Sequence, residues 1–137
     1  MTRRARLWLC FPPVVLCLLD HALTIWGQPP WYWQSRFAFP AEEAPHGRWL
    51  LQQHPALFAG GSLIWCLAYA GAILLLPRRA ALTVALALVI GHTWGSATWL
   101  VSWLTYRSSG YWLSLLLFLS SAALFVVALE RSLGESP

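Results

Sequence analysis

Four stretches of this chain are apolar almost without interruption, over residues 7–26, 56–76, 80–103 and 111–129. A helix needs about 20 mostly apolar residues to cross the hydrocarbon layer of a bilayer, and each stretch meets or nearly meets that length. The pattern predicts an all-α polytopic membrane protein: a four-transmembrane-helix bundle forming a single domain over residues 1–137. A long loop at 27–55 separates the first two helices. Short links at 77–79 and 104–110 make the remaining neighbours antiparallel.

Two interruptions matter. Pro12-Pro13 removes two backbone donors from the first stretch, so either the helix kinks there, or residues 3–11 lie along the interface and the crossing starts at Pro12. In the loop, the proline-rich run around Trp31-Tyr32-Trp33 is too long to be a bare connection. Within it, residues 47–54 predict a short helix that dips Trp49 and Leu50 into the membrane interface.

Composition agrees with lipid as the solvent. The chain is 58% hydrophobic and 10% charged, against about 25% charged in a soluble domain. All nine basic residues are arginine, which points to codon bias. The net charge of +4 gathers into no patch, so nucleic acid is not an expected partner. Instead the arginines set orientation. Arg3, Arg4 and Arg6 precede the first helix, Arg78 and Arg79 fill the second turn, and Arg131 follows the fourth helix. Arg36, Arg48 and Arg107 are spread over the other side, beside Glu42 and Glu43. The positive-inside rule then places both termini in the cytoplasm and the 27–55 loop outside. The expected location is the cytoplasmic (inner) membrane of a bacterium. The first helix has the basic start of a signal peptide but no small-x-small cleavage site, so it is expected to be retained.

The chain is tryptophan-rich, with ten in 137 residues. Trp8, Trp26, Trp31, Trp33, Trp49, Trp103 and Trp112 fall near predicted helix ends, as an interfacial belt requires. Cys10, Cys17 and Cys66 form no Cys-x-x-Cys pair and read as small packing residues.

Polar groups inside a span are expensive and therefore informative. Asp20 and His21 lie in the outer half of the first helix, with Thr24 one turn on. His92 sits near the middle of the third, beside a small-x-x-x-small face at Gly91 and Gly95 that permits close helix packing. His92, Ser96, Trp99 and Trp103 form a stripe on that helix. Counted inward from Trp26 and Trp103, Asp20 and His92 differ in depth by about 7 Å at 1.5 Å per residue, so contact is open. The loop adds Glu42, Glu43, His46 and His54. All four histidines and three of the five carboxylates thus fall on the outer side; Glu130 and Glu135 do not. The candidate polar site is Asp20, His21, Glu43, His54 and His92. If it holds a metal, the candidate ligands are His92, Asp20 and His54, drawn from separate elements. A bis-histidine haem would need His92 paired with His21 or His54. A serine site at Gly60-Gly61-Ser62 with His92 lacks the glycine after the serine. The bland alternative is that Asp20 bonds Thr24 or a tryptophan, and that the loop residues are merely solvated.

The order Asp20-His21-Ala22-Leu23-Thr24 followed by Glu43-Ala44-Pro45 resembles a family of small bacterial four-helix membrane proteins of unknown function, whose pattern is Asp-x-x-Leu-Thr and then Glu-x-Asn-Pro. The resemblance covers residues 16–76, with Ala44 in place of the asparagine. It implies the topology and an Asp20–Glu43 site, but no reaction. Small size, no complete catalytic motif and surplus aromatic surface predict an accessory or scaffolding subunit of a larger membrane complex, with lipid and other membrane subunits as partners. The alternative is a small metal- or cofactor-dependent membrane enzyme with an outer-face histidine and carboxylate site. No particular cofactor is indicated.

Overall fold

The computed structural model describes residues 1–103 and 109–134. The predicted link at 104–110, including Arg107, falls almost wholly outside the described residues, as does Glu135. Among the described residues the chain is all helical: α1 Arg3–Trp26, α2 Pro30–Gln34, α3 Pro45–Gln53, α4 Pro55–Leu75, α5 Arg78–Trp103 and α6 Ser109–Gly134. Four of these, α1, α4, α5 and α6, are long and apolar enough to cross a membrane.

α1 runs unbroken through Pro12 and Pro13, so residues 3–11 belong to the same helix as the residues after the prolines. Thr2 caps its start, the hydroxyl accepting from the Ala5 N–H at 3.1 Å. The two prolines deprive the Trp8 and Leu9 carbonyls of their usual partners. Both rings are nevertheless fully buried, and packing against neighbouring helices is what lets such positions survive in a span. At 24 residues the helix reaches about 36 Å, enough to cross.

α1 is also the centre of the bundle. It packs against α4, α5 and α6. At the arginine-rich end, Leu9, Cys10, Ile73, Ala81 and Ala85 form a core, and the alanines let α5 approach closely. Arg6 anchors this end. Its Nη1 donates to the Ile73, Leu74 and Leu76 carbonyls at 3.0, 2.9 and 2.6 Å. That places a positive charge on the C-terminal carbonyls of α4, which lack helical partners and carry the negative end of the helix dipole. Arg131 lies over the Trp8 ring, 5.7 Å from its centroid.

At the other end, α2 and α3 cover the bundle. The sequence foreshadowed α3, which starts two residues earlier than expected; α2 was not foreseen. The residues α3 buries are Gly47 and Leu51, with Leu50 only partly packed and Trp49 exposed. Leu51 meets Tyr32 and Phe58 in a small second core. The Tyr32 hydroxyl donates to the Leu51 carbonyl at 2.9 Å, which joins α2 to α3. α2 closes with a Schellman turn: Phe37 N–H donates to Tyr32 O at 2.8 Å and Arg36 N–H to Trp33 O at 3.3 Å. Arg36 holds the left-handed position usually given to glycine, at φ 52°, and Phe37 follows at φ 75°.

Candidate functional site

Asp20 and His92 do meet. His92 Nδ1 lies 2.9 Å from Asp20 Oδ2, and the two side chains are only 16% and 13% exposed for Asp20 and His92. The expected depth mismatch arose from counting inward from the loop end. Counted from the arginine end, Asp20 is 17 residues above Arg3 and His92 is 14 above Arg78. These distances are about 26 and 21 Å, a gap the two side chains can bridge. Gly95 makes the approach possible. A Cβ at that position would sit 2.5 and 2.7 Å from the carboxylate oxygens of Asp20. Gly91, by contrast, has nothing within 4 Å and does not pack helices together. Thr24 does not serve the carboxylate either; its hydroxyl donates to the Asp20 backbone carbonyl at 2.9 Å.

Around this pair runs a continuous row of rings. His46 of α3 meets Trp65 of α4 at 6.2 Å between centroids. Trp65 stacks on Tyr69 at 5.7 Å and 23°, and Tyr69 meets His92 at 5.9 Å. His92 meets His21 at 5.6 Å, and His21 meets Phe58 edge-on at 5.2 Å. The row lines a cavity of about 1080 Å³ between α1, α4, α5 and the loop. Trp31 of α2 and Trp94 and Trp99 of α5 complete the aromatic lining. Trp65 and Tyr69 were missed in the sequence, although their four-residue spacing places them on one helix face.

Gln28 and Glu42 were also underrated. Buried Gln28 donates to Thr24 O at 2.9 Å and accepts from the Ala41 N–H at 2.8 Å, so it fastens the 38–44 segment over the end of α1. That delivers Glu42 to the cavity. Burial pushes its carboxyl above the usual range; the Ala44 N–H bonded to it at 2.8 Å opposes this, and the nearby Asp20 charge adds to it. Glu43 touches the same cavity but turns outward, fully exposed, with a carboxylate oxygen 3.7 Å from Arg48 Nη2. Of the adjacent glutamates, Glu42 is therefore the one turned into the cavity that Asp20 also lines.

His54 takes no part in the site. Its Nδ1 accepts from the Ala56 N–H at 3.1 Å and caps α4, ahead of Pro55 at the first helical position. The three candidate metal ligands are therefore not together, and no group of three potential ligands converges among the described residues. His21 and His92 are in ring contact, centroids 5.6 Å apart. Ser62 is buried, donates to the Phe58 carbonyl at 2.8 Å and lies outside the cavity lining.

The chemistry that remains belongs to the carboxylate–imidazole pair. With Nδ1–H donated to Asp20, the neutral ring of His92 keeps its lone pair on Nε2, and the carboxylate stabilises the imidazolium that forms when a proton is accepted. Comparison with protein-family models, with curated proteins and with solved structures finds no match.

Proposed function

We propose that this chain is a multi-pass membrane protein that binds a small molecule or lipid headgroup in the loop-end cavity, and that the Asp20–His92 pair accepts a proton from it. The supporting observation is the pair itself: an aspartate and a histidine 72 residues apart are held in contact by a glycine, on the wall of a large aromatic-lined cavity. Such an arrangement favours the enzyme reading, as general acid–base chemistry with no named cofactor, over a purely structural subunit. The accessory-subunit reading draws on the apolar side chains exposed along α4 and α6, such as Leu67 and Leu119, which lipid covers equally well. On this proposal both termini are cytoplasmic, the cavity faces the outside, and the membrane is a bacterial inner membrane. A C-terminal green fluorescent protein fusion should fluoresce, and an alkaline phosphatase fusion at the same point should be inactive.

The site is tested by carbethoxylation of the full chain in nanodiscs with diethylpyrocarbonate, read residue by residue by mass spectrometry. His92 should react through Nε2, and Asp20→Asn should slow it by about tenfold or more, since the carboxylate no longer fixes the tautomer. A His92 that stays inert in the folded protein, or reacts equally fast without Asp20, would overturn the assignment.

A further inference from the structure

The lining of the cavity selects a class of ligand. Two carboxylates, Asp20 and Glu42, face it, while Glu43 is drawn outward to Arg48. No arginine lines it among the described residues, where the basic groups are the imidazoles of His21, His46 and His92, so an anionic group would meet the carboxylates without a permanent positive charge to offset them. The stacked Trp65–Tyr69 pair lines it, together with Trp31, Trp94 and Trp99. A hard metal cation prefers several oxygens in place of ring faces. A carbon-substituted ammonium suits both features, because its charge is drawn to ring faces, to indole above all, and its methylenes or methyls accept apolar contact. Burial raises the Glu42 carboxyl and the Ala44 N–H and His46 in the lining only partly offset this, which is consistent with a cation arriving there.

We infer that the cavity binds an organic ammonium group, seated on the Trp65–Tyr69 panel and neutralised by Glu42 and Asp20. This inference rests on the cavity being a binding site, as proposed above. The same head chemistry is available from a free amine and from a phospholipid headgroup. Exposed Trp94 and Thr98 on the cavity edge open it sideways, as a lipid headgroup would need.

The full chain in phosphatidylglycerol nanodiscs, titrated with radiolabelled choline at constant ionic strength, tests the inference. Binding should be saturable and should not be displaced by an equal concentration of sodium. Trp65→Leu and Glu42→Gln should each weaken it by about three- to thirtyfold, and Trp112→Leu, outside the cavity on α6, should leave it unchanged. Loss of choline binding in phosphatidylcholine nanodiscs would identify the lipid headgroup as the source; retention would identify a free amine. No saturable binding, or binding indifferent to both cavity variants, overturns the ligand class. If His92 carbethoxylation still depends on Asp20 in that case, the site stands and only its ligand is wrong; if both fail, the site falls with it.

Discussion

Gly95→Ala should damage this protein, and Gly91→Ala should not. The added methyl would lie 2.5 Å from Asp20 Oδ1, 2.7 Å from Oδ2 and 2.8 Å from Cγ, all well inside contact distance. The carboxylate cannot simply back away, because His92 holds it at 2.9 Å. Two responses remain. Rotating Asp20 breaks a bond worth about 0.6 and at most about 1.7 kcal/mol inside a membrane and leaves a carboxylate unpaired. Separating α1 from α5 instead loosens packing, at about 1–3 kcal/mol. Either route costs about 1–3 kcal/mol, and both substitutions gain similar helix propensity, up to about 1 kcal/mol. The difference between the two variants therefore isolates the clash. Reversible unfolding in mixed micelles, followed by circular dichroism, should find Gly95→Ala about 1–3 kcal/mol less stable than Gly91→Ala. In an Asp20→Ala background the difference should shrink to within about 0.5 kcal/mol. A difference that survives removal of Asp20, or never appears, refutes the claim that Gly95 exists to admit that carboxylate.

Other outcomes follow from the same contacts. Arg6→Gln removes the charge on the α4 carbonyls and should cost about 1–2 kcal/mol in the same unfolding assay. Tyr32→Phe strands the buried Leu51 carbonyl and should destabilise the loop end by about 1–3 kcal/mol, seen as faster hydrogen exchange in α2 and α3 with the four long helices unchanged. Glu42 binds its proton more tightly folded than unfolded, so its contribution to stability is present in acid and is lost as pH rises above the ordinary glutamate value, about 4.3. Thermal melts across that range should show the wild type falling relative to Glu42→Gln; parallel curves would mean that Glu42 is not buried. Arg36→Gly should be tolerated and Arg36→Val should not, since a β-branched residue resists the left-handed turn.

The four long helices were legible because apolar runs of that length have one economical structure in lipid. The structure adds residues at their ends, Arg3 to Arg6 in α1 and Glu130 to Gly134 in α6, where polar side chains hide helix from a hydropathy reading. Asp20, His21 and His92 were legible because a charge or an imidazole in a span stands out. What the sequence withheld was orientation at short range. Glu42 and Glu43 are neighbours in irregular chain, and no periodicity says which faces inward; that depends on Gln28 holding the Ala41 N–H. His54 resembled a ligand because an imidazole nitrogen serves equally well as a helix cap. Gly91 and Gly95 look alike in sequence, yet only one lies at the level where α1 crosses. Trp65 and Tyr69 were missed because an aromatic pair in a tryptophan-rich chain does not stand out, although Trp65 was not among the seven tryptophans assigned to the interfacial belt.

The central place of α1 has a consequence for how the molecule is made. α1 is synthesised before the helix that satisfies Asp20, since His92 lies 72 residues later. Its other neighbours are all downstream too. Until α5 arrives, the leading helix is a costly passenger in lipid, and a chain that stalls after α4 presents an unpaired carboxylate to whatever surveys the membrane for incomplete proteins. The Asp20–His92 contact therefore forms only once α5 is in place beside α1.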